Sequence, residues 1–147
     1  MTKAVECLTP CFVEFIPKEL DDGVLYFSIE YATTAHRCAC GCGEKVVLPL
    51  HPTDWRLTYD GKSITMRPSV GNWGFACRSH YLITNNRIVW ASQWTEEQIE
   101  EGRRRDAARK GSWYTKPVSP PSALQPKGTT TAEPGRFTRW LKQLFGS

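Results

Sequence analysis

Between residues 12 and 91, short apolar or alternating runs are broken at close intervals by turn-forming residues. "FVEFI" (12–16), ended by Pro17, predicts a first strand, and "VLYFSIE" (24–30), after an "LDDG" turn, predicts a second. Both are rich in aromatic and β-branched residues, which suit a pleated, half-buried surface. "KVVLPL" (45–50) predicts another strand, cut by Pro49. In "WRLTYDGKSITM" (55–66), Trp55, Leu57 and Tyr59 alternate with polar residues, and Ile64 and Met66 resume the alternation after Asp60-Gly61. Asp and Gly both tolerate positive φ, so this reads as a tight hairpin. "YLITNNRIVW" (81–90) predicts a second hairpin, turned at Asn85-Asn86. About seven short strands at this spacing predict a mainly β fold, a small antiparallel sandwich or barrel.

The period changes after Ser92. Thr95 and Gln98 have the spacing of a capping box. Glu96, Glu97, Glu100 and Glu101 then open a helix over about 95–110, and Arg103, Arg104, Arg105, Arg109 and Lys110 close it, an order that suits the helix dipole. Ile99, Ala107 and Ala108 are its clear apolar positions, so it is expected on the surface or against a partner. Residues 116–135 carry five prolines and few bulky side chains, the composition of an extended linker. In "RFTRWLKQLF" (136–145), Phe137, Trp140, Leu141, Leu144 and Phe145 form one apolar stripe at helical spacing. A helix this short is marginal in water unless the stripe is covered by its own domain, a partner's groove or a membrane surface. The expected organisation is a β-domain with its helix over residues 1–111, a linker over 112–135 and a basic amphipathic helical tail over 136–147.

The chain has 147 residues, room for one domain with appendages. The opening "MTKAVECLTP" lacks the apolar run of a secretory signal, and no stretch is apolar for the roughly 18 residues that a membrane span needs. The expected location is the cytoplasm, where crowded cysteines hold metal more often than they form disulfides. Charge is unevenly distributed. Residues 1–101 hold 9 Lys/Arg against 13 Asp/Glu, a net of −4, and residues 102–147 hold 10 against 2, a net of +8. A basic end on an acidic body suits a partner protein, anionic lipid or nucleic acid, or simply a solvated tail.

Half of the six cysteines fall within "HRCACGCGEKVVLPL" (36–50), at positions 38, 40 and 42. "CRSH" (77–80) adds Cys77 and His80, and the hairpin between the two segments can return the chain to its starting point. Cys38, Cys40, Cys42, Cys77 and His80 are thus five candidates for the four positions around one metal ion. Zinc suits a mixed thiolate and imidazole set, takes four ligands in a tetrahedron and makes no redox demand. Gly41 and Gly43 permit the positive φ with which a backbone curls around an ion. Two rivals stay open. A Rieske-type cluster needs two Cys and two His, but His36 precedes Cys38 where it should follow. A catalytic thiol could have its pKa lowered by His80. Cys7 and Cys11 read as small buried hydrophobes, and His51, before Pro52, as a loop histidine.

These segments, with "TDWRLTYDG", "MRPSVGNW", "CRSHYLI" and "IVWA", follow one another as in an uncharacterised bacterial domain family. The chain resembles that family over about residues 10–110. The family's hallmarks are C-P-C-G-C-G, P-S-[IV]-G-N-W and C-x-S-H, and Ala39 stands here in place of the proline. Its members are found in gene neighbourhoods encoding ubiquitin-activating-like and ubiquitin-conjugating-like enzymes, associated with defence against phage. The resemblance implies a zinc-stabilised accessory or recognition protein and does not imply a catalyst. "RPSVGNW" (67–73) is then expected in a loop beside the metal, as a recognition surface or a structural turn. The leading expectation is a non-catalytic zinc-binding component of a ubiquitin-like conjugation system that binds a protein partner, such as one of those enzymes. A nucleic-acid-binding zinc domain and a ligase-like enzyme using a cluster cysteine are the alternatives.

Overall fold

The computed structural model describes residues 3–117. Eight strands precede one helix: β1 Thr9–Phe12, β2 Val24–Ser28, β3 Thr33–Arg37, β4 Lys45–Pro49, β5 Arg56–Tyr59, β6 Ile64–Gly71, β7 His80–Thr84, β8 Arg87–Trp90 and α1 Glu96–Thr115. They form two four-stranded sheets, ordered β1-β2-β3-β4 and β5-β6-β7-β8. The expected β architecture is present as a sandwich-like pair of sheets, not a closed barrel. Alternation along the strands explains the shared core. Leu25, Phe27, Val46 and Leu48 of the first sheet and Ile64, Met66, Val70, Tyr81 and Ile83 of the second bury their side chains in one apolar cluster.

Both predicted hairpins are present. Gly61 has φ 96°, and Asn85 and Asn86 have φ 48° and 67°. Asp60 Oδ1 accepts from the Lys62 and Ser63 backbone N–H groups at 2.9 and 2.7 Å. These contacts, the Ser63 amide first, hold the carboxyl below its ordinary range.

Four features depart from the sequence pattern. The first strand is Thr9–Phe12 instead of 12–16, and it pairs with β2 in parallel. "TTAHR" (33–37) is a central strand between β2 and β4. Its polar Thr34 and His36 hide it from a hydrophobic scan, yet both are fully buried; the Thr34 hydroxyl donates to Leu48 O and His36 Nε2 meets the Tyr81 hydroxyl at 2.7 Å. "RPSVG" belongs to β6 and not to a loop. Finally, α1 runs to Thr115, past the predicted end near 110. Lys110 Nζ reaches Asp54 at 2.7 Å, and Trp113 and Tyr114 pack on His51 at ring distances of 5.4 and 6.3 Å. These tertiary contacts carry the helix on, so its basic run lies mid-helix and its last turn has no basic residue. The capping box forms as predicted: Gln98 N donates to Thr95 Oγ1, and Thr95 N to Gln98 Oε1. Most of the expected linker and all of the expected tail lie outside the described residues.

Candidate functional site

Two polar clusters are built around the β6–β7 connection. The first is thiol-rich. β3 ends at Arg37 and delivers Cys38, after which Gly41 and Gly43, at φ 87° and 86°, curl the chain back into β4. Cys38 N donates to Glu44 O at 2.8 Å across the mouth of this loop, and Gly41 N to Cys38 O at 3.1 Å. Cys77 approaches from the β6–β7 connection. The Sγ atoms of Cys38, Cys40, Cys42 and Cys77 lie within 4.8 Å of one another, a group that could hold a metal ion. Individual separations are 3.4 Å (Cys38–Cys40), 3.9 Å (Cys38–Cys77) and 3.8 Å (Cys42–Cys77).

A polar shell supports these sulfurs. Cys42 N donates to Cys40 Sγ at 3.3 Å. Buried Ser79 places its Oγ 3.0 Å from Cys38 Sγ and 3.5 Å from Cys77 Sγ, and Asn72 Nδ2 donates to that hydroxyl at 2.9 Å. Burial pushes the Cys40 thiol up, helped by its thiol neighbours. Cys77 goes the other way, to about 7: burial opposes this, but the hydrogen bonds with Ser79 and the neighbouring thiols outweigh it. Burial holds His36 neutral, with its pKa lowered to about 4; its Nε2 is taken by Tyr81. Cys7 and Cys11 stay outside the group, and Cys7 is exposed rather than buried.

His80, the fifth candidate donor, is engaged elsewhere. Its Nδ1 is 2.6 Å from the backbone oxygen of Ser92, and its Nε2 is 2.9 Å from Ser69 Oγ. Because a carbonyl oxygen can only accept, Nδ1 carries the proton. In that tautomer Nε2 is the acceptor for the Ser69 hydroxyl. Register explains the meeting. Gly71 is paired with His80 and Val70 with Tyr81. Tyr81 points into the core, so His80 and the diagonally placed Ser69 share the outer face. From Met66 to Val70, β6 advances four residues while β7 advances two, from Ile83 to Tyr81. This bulge contains Pro68, which has no N–H to give to the ladder, and re-aims Ser69.

Aromatic rings hold the histidine. Trp73 lies 4.9 Å and Trp94 5.3 Å from the imidazole, and the two indoles stack at 5.7 Å. A Cβ on Gly71 would come within 2.6 Å of Trp73 Nε1, so only glycine lets the indole fold over the strand onto His80. Gly102 gives Trp94 similar room against α1, where a Cβ would lie 3.1 Å from the ring. Ser69 and His80 open into a cavity of about 320 Å³ walled by these indoles, Trp55 and α1. Such an arrangement can take a proton from a hydroxyl while its oxygen attacks an electrophilic carbon. In the sequence, Ser69 stands out only as part of a recognition segment, and its pairing with His80 goes unseen. The one available signal is a Ser and a His in two motifs that a short connection could bring onto adjacent strands.

Among the described residues, no helix is long and apolar enough to cross a membrane. No curated protein and no solved structure matches the chain. A family model described as "Bacterial ubiquitination-like system serine protease (BubE)" matches residues 12–91, more than half of the sequence, and the chain belongs to that family.

Proposed function

We propose that the protein is a serine peptidase of a bacterial ubiquitination-like system, with Ser69 as nucleophile and His80 as general base. The contact that carries this reading is Ser69 Oγ to His80 Nε2 at 2.9 Å, with Nδ1 anchored on Ser92 O. The family's description as a serine protease of such a system supports it. This reading departs from the non-catalytic role expected from the sequence and keeps the expected system; the protein partner becomes a substrate. His80 Nε2 accepts the Ser69 proton as Oγ bonds to the scissile carbonyl carbon. The tetrahedral intermediate collapses, the C–N bond breaks, and the leaving amine takes the proton from His80. Water, deprotonated by the same nitrogen, then hydrolyses the acyl-serine ester. The Ser92 carbonyl does the orienting work that a carboxylate does in the familiar triads: it fixes the tautomer and steadies the imidazolium.

The cysteine cluster is a structural zinc site in this reading. A tetrahedron with Zn–S bonds of about 2.3 Å separates its sulfurs by about 3.8 Å; three of the six pairs here lie at 3.4–3.9 Å and all lie within 4.8 Å. Four thiolates leave no open position, so Cys38, Cys40, Cys42 and Cys77 hold the ion and His80 is spared for the hydroxyl. Bound zinc would tie the β6–β7 connection to the loop after β3 and so fix His80, three residues beyond Cys77.

Labelling with a small fluorophosphonate tests the reading. One adduct should form on Ser69, and Ser69→Ala should remove it without changing zinc content. Labelling that is absent, or that persists in Ser69→Ala, would overturn it.

A further inference from the structure

The walls of the Ser69 cavity differ in charge from the rest of the body. Residues 1–101 sum to −4. Yet the cavity is lined by Arg103, Arg105 and Arg109 of α1 against Asp106 as its one carboxylate. A second cavity of about 890 Å³ shares Trp55, Pro68 and Arg109 with the first, so the two adjoin on either side of these residues. Its charged lining adds Arg56 and Arg67 against Asp54. Taken together as one cleft, the two adjoining cavities are lined by five guanidinium groups and two carboxylates beside apolar residues such as Trp55 and Pro68.

Arg103 and Arg105 are only loosely engaged by their neighbours, and Arg109 is paired at a half-exposed site. Arg103–Glu100 and Arg105–Glu101 are separated by 3.9 Å with all four side chains more than half exposed, a geometry in which an ion pair adds little. Arg109 makes a closer contact, 2.8 Å, to Asp106. On a helix, positions 99, 102, 103, 106 and 109 share one face. Ile99 is that face's buried anchor, and Gly102 is seated against Trp94. The fold therefore brings Arg103 and Arg109 to the cavity wall from the helix that closes it.

We propose that this cleft selects an acidic polypeptide segment, whose Asp or Glu side chains meet Arg103 and Arg109 while the scissile bond lies at Ser69. The proposal rests on the peptidase reading for the reaction but stands on the cleft for recognition. Guanidinium groups match carboxylates in bidentate geometry. The field of the cleft reaches only about 8 Å at physiological salt. A short acidic stretch therefore senses chiefly the cleft, where five guanidinium groups outnumber two lining carboxylates and the adjacent Glu100 and Glu101, rather than the rest of the acidic body. A nucleic acid, charged along its whole length, would feel both.

Binding to the full-length Ser69→Ala chain tests recognition without requiring chemistry. The probes are fluorescent twelve-residue peptides identical except for four Glu, four Gln or four Lys, followed by anisotropy at low and physiological salt. The Glu peptide should bind at least tenfold more tightly than the Gln peptide, with the Lys peptide weaker still. Arg103→Glu/Arg109→Glu should abolish that order while leaving the remaining basic residues in place. Equal affinity for the three peptides, an order that survives the double exchange, or tighter binding of a single-stranded DNA twelve-mer would each overturn the proposal. The fluorophosphonate result does not bear on this outcome, so the two ideas fail separately.

Discussion

Cys77 and His80 are three residues apart on one connection, yet they serve sites of different physical character. The thiol cluster gathers four like groups close enough to hold a metal ion, which would offset the mutual repulsion of their thiolate forms. The Ser69–His80 pair joins two unlike groups that need no ion. Each nitrogen of the imidazole already has a partner, and two indoles confine the ring. In the proposed reading, the first site supplies rigidity and the second uses it. Tyr81 lies between them: its hydroxyl meets His36 beside the cysteine loop, and its backbone neighbour is His80. One strand therefore adjoins the thiol cluster on its inner side and the Ser69–His80 pair on its outer side.

Four perturbations would separate or merge the two sites. The largest effect should follow loss of the metal. Structural zinc contributes on the order of 10 kcal/mol, against a total stability of about 5–15 kcal/mol for a domain. Chelation, or Cys38→Ser, should therefore release about one zinc per chain and unfold the β-domain, as read by mass spectrometry and circular dichroism. A chelated protein that keeps its near-ultraviolet spectrum would mean that the sandwich does not depend on the ion.

Ser69→Ala and His80→Gln should each lower peptide hydrolysis by at least about 10³-fold. Zinc content and melting temperature should stay close to those of the parent, which would establish that chemistry and rigidity are separable. If His80→Gln also lost zinc, the imidazole would belong to the metal site and the division would collapse. Gly71→Ala should fall between these cases. Its methyl group meets Trp73 at 2.6 Å, so the indole must leave His80. The expected cost is about 1–3 kcal/mol of stability, with a drop in kcat, an unchanged KM and full zinc occupancy. The smallest effect should come from Lys110→Ala. This removes the 2.7 Å contact between a half-exposed ammonium and Asp54, and denaturant titration should show a loss of no more than about 1 kcal/mol.

Legibility followed range. The two hairpins, the helix start and the glycine curls of the cysteine loop were readable because turn chemistry, capping and φ preference act over four or five residues. The convergence of the four cysteines was readable because three of them stand at alternate positions of one glycine-rich loop and the fourth lies beyond a hairpin that returns the chain. β3 was not readable, since Thr34 and His36 are buried through specific partners on other strands. The run of α1 past Lys110 was equally hidden, because Asp54 and His51, which support it, come from a distant loop. The Ser69–His80 pair was the least legible feature. A serine and a histidine are common residues, and nothing in "RPSVGNW" or "CRSH" fixes which face of a strand each will take.

By itself, the sequence determined a small mainly β domain, sandwich or barrel, with local turns in known places, a capped helix and a cluster of candidate metal ligands. Tertiary structure alone decided that His80 turns away from those thiols. Strand register placed it opposite Gly71, the bulge in β6 swung Ser69 toward it, and the Ser92 carbonyl chose its tautomer. Each of those is a contact between residues distant in sequence, whose energy exists only once the sheets have packed.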